Sequence, residues 1–122
     1  MRLTPDHGHR LYRNVRFHGS SGEYFGSDDE YAKLQQFLRA NPERGAVIPG
    51  TSGLRKLRWP DPRRGKGKRG GLRVIYIYVP QAHYIGMLDV YDKDEAEDLT
   101  PVVRRMLSRL ANELRDSLLN EP

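Results

Sequence analysis

The cations of this chain are gathered in one place. Nine of the nineteen residues from Arg55 to Arg73 (RKLRWPDPRRGKGKRGGLR) are Lys or Arg, and only Asp61 is acidic. The segment therefore carries +8 while the whole chain carries +5, so everything outside it sums to −3. A local field of that sign draws phosphate, and Trp59, Tyr76 and Tyr78 place aromatic rings beside it. Arginine offers a planar fork that holds two phosphate oxygens at once. Lysine offers a point charge whose pKa falls towards neutrality beside other cations or under partial burial, which suits proton transfer. A plain solvated charge run has the same composition. Here, however, the cations alternate with core-like residues and glycines, which favours a shaped anion-binding surface.

Composition narrows the class. A chain of 122 residues is expected to form a single domain with one core, and 30% charged against 37% hydrophobic residues suits a small protein with a busy surface. With no cysteine, disulfides and thiolate chemistry are excluded. No apolar run approaches the roughly 20 residues that span a bilayer, and MRLTPDHGHRLYR lacks a signal-peptide apolar core. The expected location is the cytoplasm, with no membrane partner. His7, His9 and His18 invite a metal, but no acid or fourth ligand stands at a convincing spacing, so no metal or other cofactor is expected.

The elements that must position the basic residues follow from periodicity. Residues 1–22 are read as an uncertain N-terminal strand (near 11–17) or flexible segment, and residues 23–122 as the domain proper. Ser27-Asp28-Asp29-Glu30 is a capping box, followed by Tyr31, Leu34, Phe37 and Leu38 at helical spacing, and Asn41-Pro42 ends that helix. Val47–Gly53 reads as a turn-rich connection. Leu54–Trp59 alternates apolar Leu57 and Trp59 with Lys56 and Arg58, the period of a half-buried strand. A loop rich in Pro, Gly and cations leads to Leu72–Val79, the strongest strand signal in the chain. His83–Tyr91 is expected to pair with it as an antiparallel hairpin. Thr100-Pro101 then caps a long last helix with an apolar stripe of Val103, Met106, Leu107, Leu110, Leu114 and Leu118, whose far end could dock a partner. The expected fold class is α+β: an antiparallel sheet with helices packed on one face and the opposite face carrying Lys56, Arg58 and Arg73 as a concave basic platform.

Three runs together resemble the HigB-like branch of the RelE toxin superfamily, the toxins of bacterial type II toxin–antitoxin pairs. They are VIPGTSGLRKLRW (47–59), GKGKRGGLRVIYIYV (65–79) and LDVYDKDEAEDLT (88–100), with SDDEYAKLQQFLRANPE (27–43) in the same pattern. The resemblance covers roughly residues 27 to 110. It implies a small RelE-type, microbial-ribonuclease-like domain and an mRNA endonuclease that acts on the ribosome and inhibits translation. It also implies a neighbouring helix-turn-helix antitoxin (HigA-like) that forms a hetero-oligomer with it. The family's basic positions fall on Lys56, Arg58 and Arg73, with Arg55 adjacent, and its late basic position falls nearest Lys93, or on Asp94 if the alignment slips by one. A C-terminal tyrosine used by some relatives has no counterpart after Tyr91.

Cleavage of RNA by its own 2′-hydroxyl needs a base for that proton, neutralisation of the phosphorane and an acid for the leaving oxygen. The expected catalytic set is Lys56, Arg58, Arg73 and Lys93. Arg73 and Arg58 hold the phosphate; Lys56 or Lys93 moves the proton. The expected RNA-binding set is Arg55, Arg63, Arg64, Lys66, Lys68, Arg69, Tyr76 and Tyr91, the two tyrosines stacking on bases. Each position has a structural alternative: Lys56 and Arg58 as phosphate binders only, Arg73 paired with Asp89, Asp92 or Asp94, and Tyr76 and Tyr78 as sheet packing. A histidine–glutamate ribonuclease built on His18, His83 and Glu23 has no supporting spacing. Two further readings of the whole chain stay open. One is an RNA- or ribosome-binding protein of this fold without cleavage, the other an accessory module that binds a partner through its last helix.

Overall fold

In the computed structural model the described residues are 10–11, 28–61, 71–92 and 99–120. The order of elements is β1 (Arg10–Leu11), α1 (Asp28–Ala40), β2 (Ala46–Val47), β3 (Arg55–Trp59), β4 (Leu72–Val79), a 3₁₀ turn (Pro80–Ala82), β5 (Tyr84–Asp92) and α2 (Pro101–Leu119). The strands form one sheet in the order β1-β5-β4-β3-β2. Its four later strands are antiparallel, while β1 pairs in parallel with Tyr84 and Ile85. The α+β class read from the sequence is what the chain adopts. The first strand contributes only Arg10 and Leu11 to the described sheet, and the turn-rich connection holds the short edge strand β2.

The helices do not share a face, contrary to the expectation above. Leu34 and Leu38 of α1 pack with Leu57, Leu72, Val74, Tyr76, Ile85, Met87 and Val90. Leu107 and Ala111 of α2 pack with Ile48, Leu54, Ile75, Ile77, Val79, Tyr84 and Leu88. Even-numbered β4 residues thus point to α1 and odd-numbered ones to α2, since successive side chains leave a strand on opposite sides. The sheet is the middle of three layers, which is why LRVIYIYV is apolar at every position but Arg73: both its faces are covered. Leu34 and Leu38 are fully buried, and truncating either to Ala would cost about 2–5 kcal/mol.

Local chemistry sets the ends. Asn41 closes α1, its backbone and side-chain N–H groups both donating to the carbonyl of Phe37. Thr100 caps α2 by accepting from the N–H of Val103 at 3.1 Å, with Pro101 at the first helical position. The capping box at Ser27 lies outside the described residues. His83, expected to open β5, instead sits in the left-handed region (φ 52°) after the 3₁₀ turn, where its N–H reaches Pro80.

Between β2 and β3 the run Pro49–Gly53 turns through positive φ at Gly50, Ser52 and Gly53 and is clasped to α2. Arg104 donates to the carbonyl of Pro49, Arg115 to that of Ser52, and the hydroxyls of Ser52 and Ser108 lie 2.6 Å apart. The PGTSG run therefore fixes the long helix against the strand that carries Lys56 and Arg58. Among the described residues no helix is long and apolar enough to cross a membrane.

Candidate nucleic-acid interface

Lys56 and Arg58 alternate with Leu57 and Trp59 on β3, so they leave the sheet on the side opposite α1. The register then sets two rows on the α2 side. Lys56 stands opposite Ile75, itself opposite Asp89; Arg58 stands opposite Arg73, itself opposite Tyr91. Directly opposed residues of an antiparallel pair have Cβ atoms about 4.5–5.5 Å apart. Arg73 is therefore the centre of a small grid with Arg58 and Tyr91 beside it and Lys56 and Asp89 on its diagonals. The structure brings together three of the four expected catalytic residues; Lys93 follows β5 outside the described residues, as do Arg63, Arg64, Lys66, Lys68 and Arg69.

Arg58 and Arg73 are like charges placed face to face, which an isolated sheet disfavours. Arg73 is only 8% exposed. Among the described residues it makes no ion pair, and its side-chain hydrogen bond is a long one, 3.4 Å to the carbonyl of Leu72. The alternative in which Arg73 is a structural partner of Asp89 or Asp92 is thereby removed, and Asp92 points to the α1 side in any case. A largely buried guanidinium without a carboxylate is costly unless an anion completes it. Among the described strand residues, Asp89, also 8% exposed, is the one acid on this side of the grid.

The position of Asp89 and Tyr91 depends on a break in β5. Ile75 pairs with Asp89 but Tyr76 pairs with Met87, so Leu88 is the extra residue of a bulge. Strict alternation would put Ile85, Met87, Asp89 and Tyr91 on one face; the bulge leaves the first two with α1 and sends the last two to the basic side. Nothing in HYIGMLDVY except its adjacent Met-Leu pair hinted at this. Tyr91 is half-buried, and it joins Leu99 and Val103 in packing on the α2-side cluster, so the start of the long helix flanks the grid.

The expected RNA-binding set splits. Arg55 and Tyr76 are cross-strand partners on the α1 side, away from the grid. Tyr76 is fully buried; its hydroxyl donates to the carbonyl of Pro42 (2.8 Å) and accepts from the N–H of Gly45 (2.9 Å). Burial pushes its phenol above the usual tyrosine value, with the Gly45 N–H pulling the other way. It has no face to offer a base. Arg55 donates to the carbonyls of Glu43 and Gly45. Both residues thus hold the 42–45 turn. Trp59 likewise packs on Phe37, ring centroids 5.3 Å apart.

The basic loop leaves and re-enters the sheet beside the arginine row. β3 ends at Trp59 opposite Leu72, and a Cβ on Gly71 would run into the carbonyl oxygen of Trp59. Only glycine lets the returning strand approach so closely. The described ends of this connection, Pro60–Asp61 and Gly71, therefore stand next to the residue pair Trp59–Leu72, one pair from Arg58 and Arg73. No family model matches the chain.

Proposed function

We propose that this chain is an RNA-directed toxin of the HigB/RelE type, a metal-independent endoribonuclease that cuts mRNA on the ribosome and stops translation. The observation that carries the reading is the opposed pair Arg58 and Arg73, without a carboxylate partner among the described residues and with Lys56 and Tyr91 on the same side. A phosphodiester satisfies both guanidiniums, and its charge grows at the phosphorane, where their stabilisation counts most. Lys56 is half-buried at the edge of that field and is assigned the 2′-hydroxyl proton. Tyr91 is assigned to the neighbouring base. Lys93 and the loop cations, which follow β5 and β3 in the sequence, are assigned to the same RNA backbone. The resemblance of residues 27–110 to that family supports the same reading and supplies the expected partner, a helix-turn-helix antitoxin in a hetero-oligomer.

The test is mapping of mRNA 5′ ends after adding the purified chain to translating ribosomes, beside the same message naked. New ends only with ribosomes, lost in Arg73→Ala, are the expected result. Ends on naked RNA at equal rates would instead make the chain a free ribonuclease. Salt-dependent RNA binding without new ends would make it a binder.

A further inference from the structure

The long helix has one flank too many. Its buried face is formed by Leu107 and Ala111, with Val103, Leu114 and Leu118 packed alongside. One flank, Arg104, Ser108 and Arg115, clasps the Pro49–Gly53 turn. The opposite flank carries Val102, Met106 and Leu110, one turn apart, which are 56%, 55% and 43% exposed. The apolar stripe read from the sequence is thus divided: Met106 and Leu110 lie outside the core, and with Val102 they form an exposed row in the near half of the helix.

Helix stability does not account for this flank. Between Pro101 and Asn112 there are three arginines and no acid. The first turn therefore lacks the carboxylates that a helix N-terminus favours, and cations follow it directly. Arg105 and Arg109 are both exposed and border the stripe. A second copy of this chain docked there would bring two sets of these arginines into one seam. A lipid surface would ask for a wide apolar face with aromatic anchors, whereas the wide apolar face of α2 is buried on the sheet.

We propose that the Val102–Met106–Leu110 flank is the docking site of a partner protein's acidic amphipathic helix. Apolar residues of the partner at i, i+4 spacing would cover the stripe, and carboxylates beside them would pair with Arg105 and Arg109. The inference stands whether or not the basic face cuts RNA, because it uses none of the same residues.

The test is titration of the full chain with a helical 18-residue peptide carrying leucines at i, i+4 and i+8 flanked by glutamates, followed by NMR shifts and calorimetry. A second peptide has lysines in place of the glutamates. Saturable binding of the acidic peptide is expected, with shifts on α2 and at least tenfold weaker binding by Met106→Glu at unchanged melting temperature. The double variant Arg105→Glu/Arg109→Glu should reverse the preference towards the lysine peptide, a readout that holds even if Met106→Glu folds poorly. Equal binding of both peptides, no binding, or indifference to these variants would overturn the proposal. Self-association lost in Met106→Glu would assign the flank to a second copy. Binding to phosphatidylglycerol vesicles alone would assign it to lipid. Either result also rejects the partner helix.

Discussion

Replacing Tyr76 by Phe separates a structural tyrosine from a base-stacking one. The ring has no exposed surface, and the hydroxyl is the acceptor for the N–H of Gly45 and the donor to the carbonyl of Pro42. Gly45 is buried, so its stranded N–H costs about 1–3 kcal/mol. Pro42 is half-buried and regains some water, so the second lost bond costs about 0.5–1.5 kcal/mol. Tyr76→Phe should then lose about 1.5–4.5 kcal/mol, roughly 6–18 °C in melting temperature for a chain of this length. The phenol adds a pH signature. Its pKa is raised on folding, so its contribution is fully present below about pH 10 and is lost as pH rises through the folded value. Urea unfolding at pH 7 and at rising alkaline pH, with absorbance at 295 nm following the phenolate, measures both. The parent should lose stability above about pH 10 and the variant should lose less. A Phe variant within 0.5 kcal/mol of the parent, or one that keeps its stability but loses RNA affinity, would refute the assignment.

Gly71→Ala should destabilise by several kcal/mol, since its Cβ meets the Trp59 carbonyl oxygen and the N–H of Asp61 at 3.1 Å, both backbone; thermal melts beside Gly50→Ala, which has open space but φ +80°, separate collision from strain. His83→Gly should stabilise by about 1 kcal/mol in urea unfolding, because a non-glycine residue is held there at φ 52° and the buried Nδ1 has no hydrogen-bond partner among the described residues.

Strands β3, β4 and β5, the two helices and the concentration of charge were legible because each rests on local chemistry: alternation in RKLRW, helical spacing after Asp28, and Thr100-Pro101 as a start signal; the two-residue edge strand β2 was read as part of a turn. What was not legible lies in long-range pairing. LRVIYIYV is apolar on both faces, which already implies two covering layers, but reading the helices onto one face left its second face without a cover. Register decides that Arg58 meets Arg73, and no periodicity in either strand fixes register. The Leu88 bulge sends Tyr91 to the basic side, while the alternation of β3 and β4 alone takes Arg55 and Tyr76 away from it. Burial of Tyr76 follows from the 42–45 turn folding back on β4, a contact 31 residues apart in sequence.

The pair Arg58 and Arg73 sets stability against binding. Opposed like charges on a sheet cost about 0.2–1 kcal/mol, and the exposure of Arg58 places this pair towards the lower half of that range. Arg58→Gln should therefore stabilise the free chain by about 0.5 kcal/mol at low salt. The gain should vanish near 1 M monovalent salt, where the screening length is about 3 Å. The same change removes one phosphate contact, so the slope of log affinity for single-stranded RNA against log salt should fall by about 0.7. Sulfate separates the two effects: an anion bound between the guanidiniums stabilises the parent by mass action and should protect the variant less. Unfolding curves in sodium chloride and sodium sulfate at matched ionic strength measure it. A variant no more stable than the parent at low salt, with the same sulfate protection and RNA salt slope, would mean that the two guanidiniums neither repel each other nor share an anion.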